Sequence, residues 1–188
     1  MANTINATSG VGIVSTADNT NELILQTNGT NALSIDSSQN VSFAQTLALG
    51  VSNTLMELTL SAAAETVTIA ATAATGTVNF DVSTQSILYY TSNASANWTL
   101  NIRGSSSTTL NSIMATGQSV TVTHLVTQGG TAYYNSALTV DGTSVTPKWS
   151  GGSAPSAGNA NSVDVYTYTL IKTGSGSFTV FASQTRYA

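Results

Sequence analysis

The sequence predicts an all-β protein, an antiparallel β-sandwich preceded by a short N-terminal β meander, and three observations predict it. Apolar and polar residues alternate with period 2 along most of the chain, as in SVTVTHLVT (119–127) and VDVYTYTL (163–170). Turn-forming residues punctuate the alternation at Gly129-Gly130, Asp141-Gly142 and Gly174-Ser175-Gly176. Hydrophobic residues make up 41% of the 188 residues and charged residues only 6%, against roughly 25% in a typical domain. Enough apolar content to fold, with Thr, Ser and Asn supplying the polarity, describes strands and turns rather than a disordered chain.

The elements follow in order. In ELILQTNGTNALSIDSSQNVSF (22–43), Leu23 and Leu25 alternate with Ile24 and Gln26, Leu33 and Ile35 with Ser34 and Asp36, and Val41 and Phe43 follow. Asn28-Gly29 suits a tight hairpin turn, and Asp36-Ser-Ser-Gln-Asn40 reads as an Asx-type corner. Residues 1–47 are therefore expected to form a β meander serving as an attachment arm or oligomerisation stalk, 48–64 a connector, and 65–188 the sandwich. The Ala content of 60–65 offers a short helix, while the β-branched alternation of 66–70 reads as a strand. Further strands are expected at 77–82, 86–91, 98–103, 119–127, 131–140, 162–172 and 177–184. The last two form the strongest hairpin in the chain. SGGSAPSAGNAN (150–161) is a surface loop, and strand order, jelly-roll or immunoglobulin-like, stays open.

Composition removes several kinds of chemistry. With four basic residues, Arg103, Lys148, Lys172 and Arg186, the chain has no patch to neutralise phosphates, so no nucleic-acid partner is expected. No run approaches a membrane span, and MANTINATSGVGIV lacks the basic and apolar regions of a signal peptide. Cysteine is absent, which removes disulfides and thiolate metal sites. The eight acids stand singly, and Asp36–Asn40 lacks the central Gly and terminal acid of a calcium loop, so no metal or cofactor is expected. A single histidine, His124, lies mid-strand among Val120, Val122 and Val126 and reads as a half-buried structural residue. There is no G-x-S-x-G elbow, and the expectation is a protein that is not an enzyme. Tyr89-Tyr90, Trp98, Tyr133-Tyr134, Trp149 and the Tyr166/Tyr168 pair are candidates for stacking on a glycan; the last pair alternatively forms a core stripe or an intersubunit patch.

Two passages carry a resemblance. LQTNGTNALSIDSSQNVSF is similar to a short module of tail-fibre-like and other structural proteins of tailed bacteriophages, marine ones especially. From about Glu65 onward, ETVTIAATAATGTVNFDVSTQSILYYTSNASANWTLNIRGSS, VTPKWSGGSAPSAGNANSVDVYTYTLIKTGSGSFTV and the closing FASQTRYA resemble a β-rich domain of virion structural proteins of marine and cyanobacterial phages. The resemblance implies a non-enzymatic structural protein made in a host cytoplasm and carried on the virion, and it brings no catalytic or metal residues. With no repetitive shaft, a compact capsid-decoration protein fits the length better than a long fibre; a short tail fibre or knob that binds host glycans is the alternative.

Scarce charge suits a molecule that assembles. The expected partners are the major capsid protein or other virion proteins and copies of the chain itself, as a homotrimer. Leu23, Leu25, Leu33, Ile35, Val41 and Phe43 are the expected assembly interface. Each would contribute roughly 1.5 to 3 kcal/mol when fully buried, with little sensitivity to salt.

Overall fold

The structure, a computed structural model, describes residues 23–27, 30–44 and 62–188. The chain divides into two compact units, Met1–Ser61 and Ala62–Ala188.

In the first unit, strands β1 (Leu23–Thr27), β2 (Thr30–Ile35) and β3 (Val41–Phe43) form an antiparallel sheet in the order β1-β2-β3. Thr27 pairs with Thr30, while the Asn28-Gly29 turn between them lies outside the described residues. The β2–β3 corner is the expected Asx turn. The Asp36 carboxylate accepts from the backbone N–H groups of Ser38 and Asn40 at 2.9 Å and from the Asn40 side chain at 2.9 Å. These donors, the Asn40 side chain foremost, hold Asp36 below the ordinary carboxylate range. Most of the expected connector, 48–61, lies outside the described residues, and 62–66 contain neither helix nor strand.

The second unit is a two-layer, all-β sandwich-like fold. Its strands are β4 (Val67–Ala73), β5 (Gly76–Asp81), β6 (Ile87–Ser92), β7 (Trp98–Arg103), β8 (Ser119–Thr127), β9 (Asn135–Val140), β10 (Thr143–Val145), β11 (Lys148–Trp149), β12 (Val163–Gly174) and β13 (Ser177–Tyr187). One sheet has the order β10-β9-β7-β5 and the other β11-β13-β12-β8-β6-β4. The strong hairpin is β12–β13, paired from Val163↔Tyr187 to Gly174↔Ser177. Asp141 (φ 51) and Gly142 (φ 79) form the left-handed pair of the β9–β10 turn.

The expected all-β sandwich stands, but its antiparallel pairing needs correction between β4 and β9, and the strand order left open is neither an all-antiparallel jelly roll nor an immunoglobulin-like one. From β4 to β9 consecutive strands alternate between the two sheets, so neighbours in a sheet are next-but-one in sequence and run parallel: β4 with β6, β6 with β8, β5 with β7, β7 with β9. Three coils, β4–β5, β6–β7 and β8–β9, stack on one another before the chain turns antiparallel, first at β10 and then in β12 and β13. The reason is mechanical: a strand followed by a corner into the facing layer returns in its original direction, whereas a hairpin reverses it. Only two residues, Ala74 and Thr75, separate β4 from β5, yet they make a corner instead of a hairpin.

Stacked coils put like residues side by side within the core. Phe80, Ile102 and Val140 form one inward row across β5, β7 and β9, and Val78, Leu100 and Leu138 the next, all at 3% exposure or less. Outside, Asn101 donates to Asn79 at 2.9 Å and accepts from Thr139 at 2.8 Å, and Arg103 pairs with Asp81 at 2.6 Å.

The short strands β10 and β11 and the single-turn helix α1 (Leu110–Ile113), between β7 and β8, have no counterpart in the expected pattern. Thr109 caps the helix locally, accepting from the Ser112 N–H at 3.1 Å, and tertiary contacts complete it. The Asp141 carboxylate accepts from the N–H groups of Leu110 (2.7 Å) and Asn111 (2.9 Å), and the Lys172 ammonium donates to the carbonyls of Asn111 (2.5 Å) and Met114 (2.8 Å). An anion at the helix N-terminus and a cation at its C-terminus satisfy groups that a one-turn helix leaves unpaired.

Candidate functional site

The six residues expected at an assembly interface share one face of the meander. Pairing places Leu23 beside Ile35 and Ile35 beside Val41, and Leu25 beside Leu33 and Leu33 beside Phe43. Directly opposed residues of antiparallel strands project to the same side, so the six make two apolar rows of three. The other side carries Ile24, Ser34 and Ser42 in one row. A bulge at Ala32, between Leu33↔Leu25 and Asn31↔Gln26, lets the Leu25 row and the hairpin end coexist. Leu25 and Val41 remain 51% and 54% exposed, and Leu33 and Ile35, on the central strand, are half-buried. Three strands of three to six residues supply one layer, and one layer shields one side of a side chain only.

The sandwich disposes of its aromatic candidates differently. Trp98, Tyr166 and Tyr168 are buried to 1% exposure or less, so they form no glycan platform; the Tyr166/Tyr168 pair is a core stripe with rings stacked at 9°. His124, expected half-buried, is fully buried, with its ring edge-to-face with Tyr90 (79°) and Trp98 (86°). Neither its nitrogens nor Trp98 Nε1 has a hydrogen-bond partner. Burial holds the His124 pKa down at about 3, so the ring is neutral at ordinary pH and available only to its aromatic neighbours. Burial also raises Tyr166 and Tyr168 above the ordinary phenol range. Tyr168 donates to Asn135 Oδ1 at 2.9 Å, and Tyr166 accepts from Gln184 at 3.0 Å.

Of the remaining aromatics, Tyr89, Tyr133, Tyr134 and Trp149 are half-buried. Trp149 packs against Tyr168 and lines a cleft of about 240 Å³ with Pro147, Pro155, Asn135, Ser136 and Ser144. The tryptophan and a few hydroxyls and amides make this the place where a small polar ligand would meet an aromatic wall.

Two polar clusters escaped the sequence reading. Asp164 is fully buried and accepts from Gln128 (3.1 Å), the Asn159 backbone (3.0 Å) and the Asn159 amide (2.5 Å). Gln128 in turn bonds both the N–H and the carbonyl of Tyr133. This network straps the 150–161 loop to β12, and only glycine fits at 158, where a Cβ would collide with the Tyr133 carbonyl. The only available signal was Asp164 occupying an inward position of an alternating strand, in phase with Tyr166 and Tyr168. The second cluster, Asp141 with Lys172, brackets α1 and joins residues far apart in sequence.

Set against known families, curated proteins and solved structures, the chain matches no family model, no curated protein and no solved structure. Its functional interpretation rests on the sequence and on these surfaces.

Proposed function

We propose that this chain is a non-enzymatic structural protein of a tailed-bacteriophage virion, a head-decoration or capsid-surface protein that attaches through its N-terminal meander and presents the sandwich outward. The observation that supports this most is the pair of apolar rows on the meander, Leu23/Ile35/Val41 and Leu25/Leu33/Phe43, in strict register on a sheet too small to cover them. The phage-like wording of the same segment agrees with it. In this proposal the rows are buried by the major capsid protein or another virion protein and by symmetry mates in a homotrimer. Attachment needs no metal and no ion pair, so it persists at high salt.

The test is cosedimentation of the full chain with purified phage heads that lack it, in low and high salt. The parent is expected to bind in both, and a Leu25→Lys/Leu33→Lys double variant to lose binding while its sandwich melts at the parent temperature. Binding that survives the double substitution would overturn the meander as the attachment arm. Absence of binding by the parent would overturn the head location.

The Trp149 cleft supports a second version of the same class, a short tail fibre or knob recognising host glycans. Glycan-array binding by the parent that disappears in Trp149→Ala would favour it over decoration.

A further inference from the structure

We infer that two copies of the chain associate through the outer face of the six-stranded sheet, across a two-fold axis near its centre. The register defines this face. One outward row runs Ile69, Tyr89, Leu125, Val165, Thr185 across five strands, and the next runs Val67, Ile87, Thr123, Thr167, Ser183. Alternate residues of the same strands, such as Leu88, His124 and Tyr166, point into the core. Ile69 and Val67, at 68% and 44% exposure, and Phe181 at 46% extend the apolar area toward both sides.

The outward positions of β4, β6, β8, β12 and β13 carry no charged side chain at all. Charge appears only at the rim: Lys148 on β11, with Nζ 5.7 Å from the Phe181 ring centroid, and Glu65 ahead of β4, accepting from Ser86 at 2.8 Å. A sheet face left to water is ordinarily polar, and a bare β-branched and aromatic face on so wide a sheet is ordinarily covered.

Charge and size select a second copy as the cover. A two-fold contact requires a patch complementary to itself. An uncharged face meets its own copy without like-charge repulsion, whereas it has nothing to offer a strongly charged partner. Threonine hydroxyls donate and accept equally, so a Thr-rich surface is also self-complementary in hydrogen bonding. The nine residues of β8 span roughly 30 Å, and five strands about 4.8 Å apart span roughly 20 Å. The product is about 600 Å² per copy, and the flanking side chains bring it near the ~800 Å² per partner of a standard stable interface. The inference concerns the sandwich alone and stands apart from the virion proposal, which rests on the meander.

The experiment measures molar mass by light scattering for the full chain and for two variants at the centre of the face, Thr123→Lys and Thr123→Glu. Each variant alone is expected to halve the parent mass, whatever other contacts the chain makes, because like charges then face each other across the axis. A one-to-one mixture of the two is expected to restore it. Far-UV circular dichroism of the variants is expected to match the parent, since Thr123 points away from the core, while their melting temperatures fall by the share that association contributes. A parent of 19.2 kDa at every concentration tested would overturn the inference. So would variants that keep the parent mass, or a mixture that fails to reassociate.

Discussion

In the meander, Leu25, Val41 and Phe43 sit in register with half-buried neighbours and remain 51%, 54% and 43% exposed; in β8 of the sandwich, Val122, His124 and Val126 are exposed by 1% or less. Both segments alternate with period 2; β8 pairs on both sides, with β12 and β6, while in the meander β2 alone does, and its Leu33 and Ile35 are still only half-buried. The difference is the second layer. Across from β8 stands the sheet of β5, β7 and β9, whose Leu100 and Ile102 rows close over the core, whereas among the described residues of the first unit β1–β3 form a single sheet. Alternation therefore specifies which side chains share a face, and a facing layer decides whether that face becomes a core or remains available for a partner.

The largest expected effect breaks the sandwich side of this contrast. Trp98→Ala empties the centre of the aromatic cluster and is expected to cost about 3 to 5 kcal/mol in urea denaturation, with the hairpin signature of the meander unchanged. Lys172→Met removes the donor to the Asn111 and Met114 carbonyls, and a loss of about 2 kcal/mol is expected in the same assay. An effect below about 0.5 kcal/mol would mean that α1 holds itself.

His124 gives a pH test of similar size. Its pKa is near 3 in the folded chain and near 6.5 when unfolded, so below pH 6.5 the unfolded chain takes up a proton that the folded chain refuses. The stability contributed by neutral burial is complete above pH 6.5 and is lost as pH falls toward 3. Between pH 7.5 and 5, above the main carboxylate range, the loss is expected to be about 2 kcal/mol. His124→Leu is expected to flatten that slope, and an unchanged slope would place its origin elsewhere.

The smallest effect on stability belongs to the meander. Leu25→Ser is expected to leave the sandwich transition within about 0.5 kcal/mol while weakening assembly, which sharpens the comparison into a separation of folding from association. A parallel loss of sandwich stability would show that the two units support one another.

Much of the fold was legible because it is local. The limits of β7 and β8 coincide with the expected 98–103 and 119–127, the β12–β13 hairpin and its Gly-rich turn lie where the alternation puts them, and the Asx corner at Asp36 forms. The six meander residues fall on one face because register follows from strand period and turn length. The glycan platform failed at Trp98, Tyr166 and Tyr168 because a period-2 strand shows that side chains share a face without showing which face meets the other sheet. Parallel coiling was illegible for a related reason: the corner at Ala74-Thr75 and a hairpin turn are both short and use the same small residues.

By itself, then, the sequence determined an all-β chain, a nearly uncharged surface, and most strand limits and turns, since propensity, alternation and turn chemistry act over a few residues. Tertiary structure alone decided that β4 to β9 wind as parallel coils, that His124 and Asp164 lose their water, and that α1 exists between Asp141 and Lys172. Each of these depends on groups far apart in sequence meeting in space, from the Val67↔Ile87 pairing to the Lys172 contact with Asn111, and no local pattern records such a meeting.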